Sequence, residues 1–195
     1  MLVRLDIRVG WNEEIKKQFA YCGEQVFIGN YTMFTNPAEV IIHDRVRIDP
    51  FCLITTSLEV GSNTQICSHA VLGGGSSMKI TLGKWSWIGY GSQVFTASED
   101  YSGKYGPVCE FWGDNKIYRG NIEFNDYSGI ASMVMVFPGV VLPEGCAIGA
   151  NSFVYTKNPL RPWTLWWGNP LKFQSNRDKE TVIKLANDPE WIKER

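Results

Sequence analysis

The chain holds only two histidines, and one of them, His69, stands four residues ahead of a glycine run, Gly73–Gly75. An imidazole changes charge close to neutral pH, so a histidine beside a flexible turn is a natural general base. Further along, Glu99 and Asp100 form an adjacent pair of carboxylates that leads into Tyr101, Ser102 and Gly103. One such carboxylate can hold an amino or hydroxyl group while the other orients it or takes its proton. Each candidate also has a plain alternative. His69 can be a solvated corner residue, and Asp-Tyr-Ser-Gly is ordinary turn chemistry. Tyr101 reads as a packing residue and His43, distant from any loop, as structural. No metal is expected, because Cys22, Cys52, Cys67, Cys109 and Cys146 are odd in number and never in Cys-x-x-Cys spacing. That pattern argues against both a zinc site and a disulfide framework.

What must position these groups is a repeat of six. Ile42, Ile48, Ile54, Val60, Ile66 and Leu72 follow one another at six-residue intervals, as do Leu82, Ile88 and Val94, and again Phe124, Ile130, Val136, Leu142, Ile148 and Val154. Four residues after each aliphatic comes a smaller residue, such as Val46, Cys52, Thr64, Ala70, Ser92 or Ser152. The smaller residue and the next aliphatic are two apart, the alternation of a strand, and the remaining residues turn a corner. Short strands joined by corners at constant period describe a solenoid of stacked β coils. Glycine often follows the aliphatic, as at Gly61, Gly83, Gly89 and Gly149, which predicts unusual φ there.

Interruptions of a solenoid are where binding residues are placed. Leu72 to Leu82 carries four residues more than one hexad. After Val94 the next inward slot is Asp100, and an aliphatic column does not accept an unpaired carboxylate. The chain must leave the coil there and return near Ile122. The segment from Trp11 to Tyr21 reads as a helical cap, needed because an open coil end exposes unpaired strand edges. Residues from Asp178 onward read as one or two amphipathic helices, the second starting near Pro189. The division expected is a cap over 1–25, a β-helix over 26–172 with a loop insertion near 98–121, and a helical tail over 173–195.

At 195 residues one domain is expected. A net charge of −1 gives no attraction to nucleic acid or to an anionic membrane. No apolar run reaches membrane-spanning length and the first ten residues lack the layout of a signal peptide. These features predict a soluble cytoplasmic protein with a small-molecule partner. The eight tryptophans, including Trp85, Trp87, Trp163, Trp166 and Trp167, read as packing or interface residues.

The hexads from Ile28 to Tyr155, with a closing stretch Gly-Ala-Asn-Ser-Phe-Val-Tyr-Thr-Lys (149–157) and an exit Gly-Asn-Pro-Leu-Lys (168–172), resemble the hexapeptide-repeat acyltransferases. Leu171 stands where their exit usually has alanine. The loop Ser-Glu-Asp-Tyr-Ser-Gly (98–103), with Leu160–Trp163, is similar to that of a sugar O- and N-acetyltransferase branch that includes acyltransferases of dTDP-4-amino-4,6-dideoxyglucose; the galactoside acetyltransferases are a wider branch. The latter carry a catalytic histidine in this loop region, and residues 95–125 here contain none. The resemblance implies an all-β fold, a left-handed parallel β-helix with three hexads per coil and about five or six coils. It also implies a homotrimer with sites between neighbouring prisms, acetyl-CoA as co-substrate, and a sugar or nucleotide-linked sugar as acceptor in surface-polysaccharide synthesis. His69, Glu99 and Asp100 are then the catalytic candidates. Ala131, Gly149 and Ala150 are placed along the pantetheine arm, and Lys157 and Lys172 at the phosphates of coenzyme A. Two rival readings are a β-helical carbonic anhydrase, which needs three histidines per zinc, and a non-catalytic trimeric β-helix acting as a binding scaffold.

Overall fold

The computed structural model describes residues 13–102, 104 and 116–189. They form a left-handed parallel β-helix of about seven turns, one or two more than the hexads from Ile28 to Tyr155 imply. The extra turns come from non-hexad residues: Cys22 opens one column beneath Ile42, and Trp166 closes another above Ile148.

The prism has three faces, visited in order. The first stacks Ile28, Ile48, Ile66, Ile88, Ile130, Ile148 and Trp166 in parallel register. The second stacks Phe34, Ile54, Leu72, Val94, Val136 and Val154. The third stacks Cys22, Ile42, Val60, Leu82, Phe124 and Leu142. The aliphatics from Ile28 onward are buried, so each contributes roughly 1.5–3 kcal/mol of apolar burial. The smaller slot is buried too. Its hydroxyls are satisfied by the neighbouring coil, Ser92 donating to Ala131 O at 2.9 Å and Thr64 to Gly83 O at 2.9 Å. Among the described residues no buried side-chain nitrogen or oxygen lacks a partner.

The corners correct the expectation for glycine. Positive φ falls on the fourth residue of the hexad, at Arg45, Phe51, Asn63, His69, Trp85, Tyr127 and Met133, and not on the glycines after the aliphatic. Those glycines are required by close approach. A Cβ on Gly61 would lie 2.7 Å from the backbone of Gly83, and one on Gly83 2.6 Å from Asp126 N. Adjacent coils meet there backbone to backbone, leaving no room for a side chain.

At the start, helix Glu13–Lys16 precedes the first strand, Tyr21–Cys22, and Phe19 packs edge-on against Phe34 with ring centroids 4.9 Å apart. At the other end, strands Thr164–Trp167 and Lys172–Asn176 form an antiparallel hairpin whose turn is the Gly-Asn-Pro-Leu exit. The tail helix, Lys179–Ala186, is capped by Asp178, whose carboxylate accepts from Thr181 N at 3.0 Å. The second helix expected near Pro189 lies largely outside the described residues, as do Trp11, Cys109 and residues 105–115. Among the described residues no helix is long and apolar enough to cross a membrane.

Candidate active site

All the insertions emerge at one edge of the prism, between the second and third faces. The Gly73–Ser77 excursion widens the strand Val71–Leu82, and the longer excursion leaves one coil above it. That excursion begins as a ribbon, Ala97–Glu99 pairing antiparallel with Ile117–Arg119. Its foot is anchored by Thr96, buried, whose N–H and hydroxyl both donate to Gly73 O at 2.8 and 3.1 Å and whose carbonyl accepts from Gly120 N at 3.0 Å. Thr56 supports the same foot by donating to Met78 O at 2.8 Å. The glycine turn and the ribbon are thus one stacked unit.

Asp100 and Glu99 stand at the tip of the described ribbon in different circumstances. Asp100 Oδ1 accepts from Ser102 N at 2.7 Å and Oδ2 from the Tyr118 hydroxyl at 2.9 Å, while its own N–H donates to Lys116 O at 3.0 Å. The bonds from Ser102, and then that from Tyr118, hold its carboxyl below the usual carboxylate range. Asp100 is therefore an ionised clamp on the ribbon. Glu99 is half-buried, points to the opposite side of the ribbon by strand alternation, and makes no side-chain hydrogen bond or ion pair among the described residues. Tyr101, read as packing, is 72 % exposed.

His69 occupies a different edge, between the first and second faces. It has φ of 63°, is exposed, and stacks on Phe51 at 5.2 Å, which stacks on Tyr31 at 5.3 Å. Within one prism the width of the second face separates His69 from Glu99 and Asp100, so the chain does not itself bring the three together. His43, read as structural, has its Nε2 3.5 Å from Glu59, which also receives Lys79 Nζ at 2.5 Å, and its ring packs against Tyr21 with centroids 5.7 Å apart.

Ala131 and Gly149 stack on the His69 edge, but their N–H groups are committed to the ladder, donating to Ile148 O at 2.8 Å and to Trp166 O at 2.7 Å. Ala150 is exposed and its amide donates to no described backbone group. Lys157 and Lys172 are exposed, Lys172 opening the last strand next to Phe173, which the Arg161 guanidinium covers at 4.8 Å. Among the described residues no three histidine, cysteine or acidic side chains gather as a metal site.

No family model matches the chain. A dTDP-4-amino-4,6-dideoxy-D-glucose acyltransferase of Escherichia coli is 30% identical over 170 residues, which span 84% of this chain and 85% of the relative. The chain belongs to the hexapeptide-repeat acyltransferases. AntD of Bacillus cereus, an N-acyltransferase solved with dTDP and 3-hydroxybutyryl-CoA, superposes with a TM-score of 0.81 at 27% identity, covering 93% of this chain and 95% of AntD. A second AntD structure, a serine-to-threonine variant with dTDP and coenzyme A, gives 0.80 at 29% over 94% and 96%. The acetyl-CoA complex of a hexapeptide-repeat acetyltransferase from Vibrio cholerae, at 21% identity with a TM-score of 0.57 over 84% and 75%, shares the fold.

In this acyltransferase, the sequence located where the chain leaves the prism and returns near Ile122, but not the ribbon between or its mechanics. Ser102 was legible as a turn partner of Asp100, two residues on. Tyr118 was not, because nothing in the sequence says that residue 118 pairs across a ribbon with residue 98. Thr56 and Thr96 also escaped, since a buried threonine signals itself only when its acceptor carbonyl is known.

Proposed function

We propose that this acyltransferase moves an acyl group, acetyl in the first instance, from coenzyme A to an amino or hydroxyl group of a nucleotide-linked sugar, in the cytoplasm, toward surface polysaccharide. The observation that carries the reading is the free Glu99 carboxylate on a ribbon clamped by Asp100, with no histidine beside it. The attacking nitrogen or oxygen forms its bond to the thioester carbonyl carbon and its proton passes to Glu99; as the carbon–sulfur bond breaks, Glu99 returns that proton to the departing thiolate, and coenzyme A leaves as the thiol. Most of the acceleration comes from holding the two substrates together, with the base adding roughly 10² to 10⁴. Lys157 and Lys172 supply positive charge for the phosphates of coenzyme A, and the Ala131–Gly149–Ala150 corner gives a smooth track for the pantetheine arm, with the Ala150 amide as a donor. The acyl carriers and dTDP bound by AntD, and the amino sugar in the Escherichia coli relative's name, support this substrate class.

The solvent side of the second face supports a homotrimer. Met33, Leu53, Val71, Gln93, Met135 and Phe153 project from it, five of the six apolar, a run that soluble monomers rarely leave uncovered. With that face toward a three-fold axis, the His69 edge of each prism meets the ribbon edge of the next. The site is then shared, and His69 joins Glu99 and Asp100 from the neighbouring copy.

The test is calorimetric titration with acetyl-CoA, followed by coenzyme A release against amino- and hydroxy-sugars, free and dTDP-linked. Binding with release stimulated by a dTDP-amino sugar is expected. No detectable acyl-CoA binding would remove the transferase mechanism and leave a β-helical scaffold.

A further inference from the structure

The third edge of the prism, between the third and first faces, carries neither the ribbon nor the His69 ladder, and it is the edge on which the tail folds back. Asn63, Trp85 and Tyr127 occupy successive corners there, Trp87 flanks them on the first face, and helix Lys179–Ala186 lies against them. Between helix and edge is an open groove of about 420 Å³, walled by Asn63, Trp85, Trp87, Tyr127, Arg177 and Val182. That volume falls within the range of small-molecule sites.

Arg177 is the unusual member. Its Nη1 donates to Tyr127 O at 2.9 Å and to Gly145 O at 2.6 Å, and its guanidinium lies over Trp87 at 5.2 Å and Trp163 at 5.9 Å. No carboxylate among the described residues pairs with it, and its Nη2 and Nε donate to none of them. Burial disfavours its charge. A half-buried arginine normally finds an anion, and its remaining donors form the fork that suits a carboxylate or phosphate. The rings of Trp87 and Tyr127 give the groove an aromatic wall that suits a flat partner.

We propose that this groove binds a compact aromatic anion, a flat ring bearing a carboxylate or phosphate group. The ring lies against the wall formed by Trp87 and Tyr127, and the anion meets the free edge of Arg177. The site is on a different edge from the positions assigned to coenzyme A and the acceptor, so an occupant there does not compete with either and acts on the tail.

Calorimetry of the full-length protein, saturated with coenzyme A, tests this with phenyl phosphate, benzoate, phenol and inorganic phosphate as probes. One of the two aromatic anions, or both, should bind at least tenfold more tightly than phenol or phosphate, and the stronger of the pair identifies the preferred anion. Arg177→Gln should reduce that binding at least tenfold and leave phenol unchanged. Val182→Phe, which fills the groove from the helix and leaves the arginine in place, should abolish it while the protein still melts cooperatively. Glu99→Gln should leave it unaltered. Absence of binding by the wild type would overturn the proposal and leave Arg177 as a fastener of the tail. Binding that survives both groove substitutions, or that Glu99→Gln removes, would overturn it equally by placing the probe elsewhere.

Discussion

Replacing Glu99 with glutamine separates the two ribbon carboxylates. Glu99 makes no side-chain bond among the described residues, so an isosteric amide should leave stability within about 0.5 kcal/mol of the wild type. If its carboxylate takes the nucleophile's proton, turnover should fall by roughly 10² to 10⁴, equivalent to about 2.7–5.4 kcal/mol of barrier. Affinity for acyl-CoA should be unchanged, because the role assigned to Glu99 is the nucleophile's proton and not a contact to coenzyme A. Asp100→Asn provides the contrast. The amide oxygen can still accept from Ser102 N, now at 2.7 Å, and the Tyr118 hydroxyl, at 2.9 Å, can reverse and accept from the new NH₂ group. The clamp is weakened and not removed, so kcat should fall less than about tenfold, with KM for the sugar rising as the ribbon loosens. Single-turnover coenzyme A release, read with a thiol-reactive dye and paired with thermal melts, distinguishes the two. Near-normal turnover in Glu99→Gln together with a hundredfold loss in Asp100→Asn would refute the division of roles.

His69→Ala should reduce turnover by about 10² or more without dissociating the assembly if the neighbouring copy's histidine takes part in proton transfer; a near-normal rate, with the mass by light scattering unchanged, leaves that work to Glu99. Gly83→Ala should destabilise by roughly 1–3 kcal/mol in urea titration, since its Cβ would sit 2.6 Å from Asp126 N; a neutral result would mean that the coils slide apart more easily than their register implies. Burial pushes the Cys52 and Cys146 thiols up to about 11 from 9.0. The unfolded thiols therefore ionise first, and stability present below pH 9 should be lost between about pH 9 and 11. The upper bound is about 2.7 kcal/mol for each thiol. Urea midpoints at pH 8 and 10.5 check this against a Cys52→Ala, Cys146→Ala variant, whose pH dependence should be shallower. Lys157→Ala with Lys172→Ala should weaken coenzyme A at least tenfold while dephospho forms lose less, read by calorimetry; equal loss for both forms would detach the lysines from the phosphates.

The architecture was legible because a coil repeats its constraint. Every Ile, Val or Leu at a six-residue interval must find an inward column, so the solenoid is read from the period, while the closing of each coil by three hexads, as in Ile42–Ile48–Ile54, is what the family resemblance implied. The exit of the chain was legible for the same reason: a carboxylate at Asp100 cannot continue an aliphatic stack. Local turn chemistry likewise announced the Asp100–Ser102 bond. What lay beyond sequence was whatever depends on which coil sits above which. Gly61 and Gly83 looked like positions of unusual φ, yet they are small because the next backbone is 2.6–2.7 Å from where a Cβ would be. His69 and Glu99 looked like partners in one site, yet they fall on different edges, because six residues of extended chain cross a whole face between corners. Tyr118 reached Asp100, and Arg177 reached Tyr127 and Gly145, across separations of 18, 50 and 32 residues. A repeat propagates its periodicity along the chain, so periodicity can be read from the chain alone. Contacts between edges, ribbons and tails depend on the stacking of turns in space, and only the folded prism sets them.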